Sequence, residues 1–182
     1  ETINITELRA AAKQGTVQGI AKWENRRLVL HDLAVRQGER TVISGAVDVP
    51  LDLFAAEKTL DVLLPLDAPI KAELRSKDVD LKTLFEQLGQ RPRVTGIVSA
   101  DITASGSRRN LAAAVRIVAT KLQPASAKDF TPADIGLDLT LKDSRLRLDT
   151  KIVQQKVAWL EGTAELPFDI AHADDPALLI PE

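Results

Sequence analysis

The chain has 182 residues, 45% of them hydrophobic, which is enough for one domain with a sizeable core. A net charge of −2 and a pI near 5.8 supply no field for holding a polyanion, so nucleic acid is not an expected partner. Aromatic residues are 3% of the chain, and Cys, Met and Tyr are absent, which removes disulfides, thiolate chemistry and Cys-held metals and leaves Leu, Val, Ile and Ala to supply nearly all the apolar surface.

In chain order, Thr2–Leu8 sets Ile3 and Ile5 against Asn4 and Thr6, the alternation of a strand with one greasy face and one wet face. Thr16–Glu24 does the same with Val17, Gly19, Ala21 and Trp23, and a turn at Glu24–Arg27 follows. Leu28 and Leu30 share a face, after which the apolar set moves to Leu33 and Val35; that slip predicts a β-bulge at His31-Asp32. Arg40–Leu53 is the next strand. Alternation at Leu60, Val62, Leu64 and Leu66 predicts a strand over Thr59–Leu66, and Ile70, Ala72 and Leu74 another over Pro69–Ser76. The period then changes. Leu81, Leu84, Phe85 and Leu88 have helical spacing, with Asp80 as N-cap and Gly89 as terminator, which predicts one short helix near 80–89. Strands resume at Val94–Gly106, Leu111–Ala119, Ile135–Leu141, Leu146–Ile152 and Lys156–Ile170, joined mostly by short polar turns.

The expected fold is therefore all-β: an antiparallel meander of about eleven strands with one short helix, in a single β-rich unit over 1–182. A nine-residue phrase occurs twice, as GAVDVPLDL at Gly45–Leu53 and as GTAELPFDI at Gly162–Ile170. Each copy follows a strand, a charged turn and a strand, so repeat-like units are expected at about 16–53 and 133–170. Gly45, Gly96 and Gly162 read as bends or close packing, and Pro50 and Pro167 as edge or bend positions. A chain that opens in a strand without an initiator Met is expected to be an interior segment of a longer protein.

Catalytic signals are weak. His31 beside Asp32 has no Ser or Cys nucleophile in an elbow sequence, and His172 stands alone. Asp78, Asp80 and Asp101 lie on separate elements without His and read as solvated or capping acids. No enzyme, metal or cofactor is expected.

VISGAVDVPLDL, PIKAELRSKDVDLKTLFEQL, RVTGIVSADITASGS and RLRLDTKIVQQKVAWLEGTAELPFDI, taken in succession over most of Leu28–Ile170, resemble the TamB/AsmA-like family of bacterial envelope proteins. Where such proteins typically follow the ASG segment with Thr and then Pro, this chain runs Ser107-Arg108-Arg109-Asn110-Leu111. The resemblance implies a long sheet curled into a taco-like trough, held in the periplasm of a Gram-negative-type bacterium by an inner-membrane anchor elsewhere in the protein. It also implies phospholipid transport between inner and outer membranes and outer-membrane protein assembly with an Omp85-type partner. Direct membrane contact would fall to parts outside this segment. The expected lipid-groove lining is Val47, Val49, Leu60, Val62, Leu64, Ile70, Leu74, Val98, Ile102, Val115, Ile117, Leu137, Leu139, Leu146, Leu148 and Leu166. The competing expectation is a structural β-sandwich spacer of the envelope, in which the same residues form a dry closed core.

Overall fold

The computed structural model describes residues 2–12, 15–37, 39–52, 59–87, 89–127 and 129–172. Ten strands form one open antiparallel sheet in strict sequence order. They are β1 (Thr2–Ala12), β2 (Gly15–Glu24), β3 (Arg27–Gln37), β4 (Arg40–Pro50), β5 (Ile70–Asp80), β6 (Val94–Gly106), β7 (Ala112–Pro124), β8 (Ala133–Lys142), β9 (Arg145–Gln154) and β10 (Val157–Pro167). The all-β meander is thus as the alternation predicted, with ten strands among the described residues rather than about eleven.

The missing strand is Thr59–Leu66. Leu60–Leu63 is instead a short helix, α1, in which the Leu63 amide donates to the Thr59 carbonyl at 3.0 Å. The run Leu-Asp-Val-Leu-Leu fits helical spacing as well as alternation, because Leu63 breaks the period of two. Pro65 then removes a ladder donor, and Ala68 closes a turn back onto the Pro65 carbonyl.

Elsewhere local chemistry and structure agree. The hairpin turns at Asn25-Arg26, Asp143-Ser144 and Gln155-Lys156 have positive φ at both central residues, from 51° to 66°. That is the type I′ geometry whose twist matches flanking strands. The register of β3 against β4 slips between Leu30 and Leu33, with Asp32 at φ 53°, so the expected bulge is there. Similar slips occur at Lys77-Asp78 in β5 and Thr120-Lys121 in β7, where Asp78 and Lys121 also have positive φ. Each bulge adds local bend and twist to its strand.

The helix after β5, α2, spans Leu81–Gln87. The Asp80 carboxylate accepts from the Thr83 amide at 2.7 Å, which caps the helix and lowers the Asp80 pKa. At the other end the Gly89 amide donates to the Glu86 carbonyl and the Gln90 amide to the Phe85 carbonyl, with Gly89 at φ 69°. These two bonds are a Schellman motif, so both predicted helix stops are used. Leu88 itself lies outside the described residues.

The molecule is poorly covered for its size. It exposes 12464 Å², against about 8,600 Å² expected for a compact monomer of 19.8 kDa. Among the described residues the buried apolar set is Ala21, Trp23, Val42, Ile70, Val79, Ala119 and Leu141. Most lie near strand ends, and the middle rows of the sheet are half-buried.

Candidate functional site: a two-sided sheet

Cross-strand register sorts the side chains into two faces, because residues opposite each other in a ladder point the same way. One row runs Gly45, Leu74, Ile102, Val115, Leu139, Leu148, Ala164 across seven strands. The next runs Val47, Ala72, Ala104, Ala113, Leu141, Leu146, Leu166. Further along the strands come Ile43, Ser76, Ala100, Ile117, Leu137, Thr150 and Gly162, then Val79, Val98, Ala119, Ile135, Ile152 and Leu160. Leu28, Leu30, Leu33 and Val35 of β3 continue the same face. It is almost purely aliphatic, and its middle rows are half-buried rather than buried.

The opposite face is a mesh of charge. Its matching row reads Ser44, Arg75, Asp101, Arg116, Asp138, Asp149, Thr163. Opposite charges meet across strands at Arg75–Asp101 (3.7 Å), Arg116–Asp138 (3.5 Å), Arg145–Glu165 (3.0 Å) and Lys151–Glu161 (3.1 Å). Asp149 accepts from the Arg147 guanidinium and from the Thr163 hydroxyl, and these bonds hold its pKa down at about 2. Such a face belongs in water, and the aliphatic face is left as the surface that needs a partner.

The expected lining residues divide clearly. Val47, Val49, Ile70, Leu74, Val98, Ile102, Val115, Ile117, Leu137, Leu139, Leu146, Leu148 and Leu166 all fall on the aliphatic face. Leu60, Val62 and Leu64 are not on a strand: the first two sit in α1 and Leu64 follows it in a bend, with Val62 exposed.

Those connectors instead build a clamp along the rim where β4, β6, β8 and β10 end. Arg108, in the 3-10 turn Arg108–Asn110 before β7, is 1% exposed. Its guanidinium donates to the Asp61 carboxylate at 2.6 Å, to the Leu64 carbonyl at 3.1 Å and to the Ala171 carbonyl at 2.9 Å. One side chain thus ties the segment after β4 to the segment after β10. The neighbouring Arg109 pairs with Asp67 at 2.7 Å, which lowers the Asp67 pKa through that hydrogen bond. Nothing in the sequence Ser107-Arg108-Arg109-Asn110 marks one arginine for burial.

The twin phrase turns out to be a rim device of the same kind. Pro50 ends β4 and Pro167 ends β10, opposite Arg27 and Arg145. After each proline the next amide bonds back to the preceding hairpin: Leu51 to the Arg26 carbonyl at 2.7 Å, Phe168 to the Ser144 carbonyl at 2.8 Å. The acid of each phrase pairs with the arginine that opens the neighbouring strand, Asp48 with Arg27 and Glu165 with Arg145. The copies differ at glycine. A Cβ on Gly45 would lie 2.2 Å from the Glu73 carbonyl oxygen, whereas one on Gly162 meets nothing within 4 Å.

His31 is exposed and borders a shallow hollow with Ala46, Asp48, Lys71 and Glu73. Asp78 receives a bond from Ser99, Asp80 caps α2, and Asp101 pairs with Arg75, so the three acids are separately engaged. Among the described residues no cluster of His, Asp and Glu could hold a metal ion, and no helix is long and apolar enough to cross a membrane. No family model, curated protein or solved structure matches the chain.

Proposed function

We propose that this chain is a non-enzymatic hydrophobic β-groove that carries phospholipid by its acyl chains. The observation that carries the reading is the aliphatic face: register-matched rows across the sheet, half-buried in the middle, flanked by α2 packed on β5 and β6 at one rim and by the Arg108 clamp at the other. Ten strands at ~4.8 Å make a surface roughly 45 Å across, room for several acyl chains laid across the strands. Branched aliphatic side chains offer a fluid chain dispersion contact without a fixed hydrogen bond to break, so a lipid can slide along them. On the TamB/AsmA-like resemblance alone, the proposal extends to a periplasmic segment of an inner-membrane-anchored protein. The same resemblance carries transport between the two membranes and assembly of outer-membrane proteins with an Omp85-type partner.

The test is lipid occupancy with positional control. The purified chain is expected to release phospholipid on organic extraction and to carry it in native mass spectrometry. A photocrosslinking residue at Ile117 or Leu139 should form lipid adducts, whereas the same probe at Arg116 or Asp138 on the charged face should not. Absence of lipid together with adduct-free probes on both faces would favour the dry sandwich spacer and overturn the groove.

A further inference from the structure

The two rims of the sheet use their charges differently. Along the rim where β4, β6, β8 and β10 end, Arg26 pairs with Asp52, Arg27 with Asp48, Arg108 with Asp61, Arg109 with Asp67 and Arg145 with Glu165, all within 3.2 Å. Of the cations there, Lys71 and Lys142 alone make no ion pair among the described residues. Along the opposite rim, from the end of β5 to the turn before β10, Lys77, Lys82, Arg91, Arg93, Lys121 and Lys156 are all exposed, and none makes an ion pair among the described residues. We infer that this second rim takes the phosphate of a carried phospholipid: Arg91, Arg93 and the neighbouring lysines hold the headgroup while the acyl chains lie on the aliphatic face. The inference rests on the groove reading and adds to it which rim receives the charged end of the lipid.

A charged phosphate cannot follow its chains onto an aliphatic surface that offers no partner, so it stays at a rim. At the first rim the guanidinium groups are already taken by carboxylates, which an arriving phosphate would have to displace. At the second rim it is the acids that are engaged. Asp78 accepts from the Ser99 hydroxyl, Asp80 from the Thr83 amide and Asp134 from the Lys121 amide at 2.9 Å. Glu86 and Asp129 are the other acids of this stretch. The cations are thus left available to an anion from outside. Arginine matches phosphate oxygens two at a time, and lysine adds a point charge.

Local structure puts these groups where they stand. Lys77 and Lys121 lie in the bulges of β5 and β7, which re-aim side chains beside this rim. Arg91 and Arg93 flank Pro92 in the link from α2 to β6, and the Ala125 amide holds that link by donating to the Arg93 carbonyl at 2.9 Å. The Gln154 side-chain amide in turn donates to the Thr131 carbonyl, so the connectors bordering β6 to β9 form one ledge. Val94 and Phe130, exposed at 37% and 45%, give the ledge apolar ground for the first carbons below a headgroup.

The test loads the full chain with phosphatidylglycerol, and separately with diacylglycerol of the same acyl chains, and reads retention by native mass spectrometry. Arg91→Ser combined with Arg93→Ser should lower phosphatidylglycerol retention roughly fivefold and leave diacylglycerol retention unchanged. Lys71→Ser combined with Lys142→Ser removes the same charge from the first rim and should change neither. High salt should narrow the gap between wild type and the arginine variant. Glycerol phosphate, which has the phosphate without the chains, should not displace the lipid. A phosphatidylethanolamine with a diazirine on its headgroup should crosslink to wild-type residues 89–95 or 121–127 and not to 105–111. Circular dichroism on each variant checks that the sheet is intact. Equal phosphatidylglycerol retention by wild type and the arginine variant, an equal loss in the lysine variant, displacement by glycerol phosphate, or headgroup adducts at 105–111 would overturn this inference and leave the groove standing. Wild type that takes up neither lipid would overturn the groove reading and this inference with it.

Discussion

Replacing Arg108 with Ala removes the most buried side chain among the described residues together with three hydrogen bonds from a charged donor. Hydrogen bonds to charged groups contribute about 1.5–3 kcal/mol each, yet the three do not simply add here. Asp61 is 65% exposed on its side chain and re-hydrates once its partner is gone, so that bond gives back little. The Leu64 and Ala171 carbonyls sit under the rim and lose a donor, and the guanidinium's volume leaves a void. The expected loss is about 2–4 kcal/mol, with Arg108→Lys in between because a single ammonium nitrogen cannot span acceptors that two separate guanidinium nitrogens reach. The assay is urea unfolding followed by Trp23, whose indole donates to the Leu51 carbonyl at 2.7 Å along the same rim. Hydrogen exchange should show faster exchange in Leu60–Leu63 and Ile170–His172 before the central strands change. A loss below about 1 kcal/mol for Arg108→Ala, or wild-type exchange in those two segments, would refute the clamp.

The repeated phrase supplies a paired test: Gly45→Ala should destabilise by about 1–3 kcal/mol because its Cβ lands 2.2 Å from a backbone oxygen, as judged by the urea midpoint. Gly162→Ala, at the same place in the other copy, should be neutral or stabilise by a few tenths of a kcal/mol through the unfolded chain. For Asp149 the folded pKa, about 2, lies below its unfolded value, so its contribution is present above that unfolded value and is lost as pH falls through the folded one. The stability gap between wild type and Asp149→Asn should accordingly shrink as the pH is lowered from 4 towards 2, and a gap constant over that range would contradict the assignment. Val98→Asp puts a carboxylate on the aliphatic face: if that face meets lipid, lipid retention should fall while circular dichroism is preserved. Global unfolding of the variant would instead point to a dry core, where an unpaired buried charge costs several kcal/mol.

The sheet itself was legible in the sequence because alternation is a local property. Each stretch such as Ile135–Leu141 declares its own greasy and wet sides, and short polar turns leave antiparallel pairing as the economical connection. The bulge at His31-Asp32 and both stops of α2 were readable for the same reason: a slip in period, an Asp before the stripe and a Gly after it act within a few residues. Thr59–Leu66 defeated that reasoning because five of the seven residues from Leu60 to Leu66 are apolar and satisfy two periods at once, and Pro65, which has no amide to give a ladder, disfavours the strand.

Tertiary structure alone decided what lies far apart in the chain. Register brought Gly45 against Leu74 and left Gly162 open, so the same letter in the same phrase is obligatory in one copy and replaceable in the other. The burial of Arg108 depends on a carboxylate 47 residues away and a carbonyl 63 residues away, and no periodicity reports a contact at that range. The twin phrase proved to be a strand ending that locks onto its neighbouring hairpin, since only pairing in three dimensions shows Asp48 meeting Arg27 and Glu165 meeting Arg145. Local chemistry wrote the strands and their two faces; long-range pairing chose which rim is clamped.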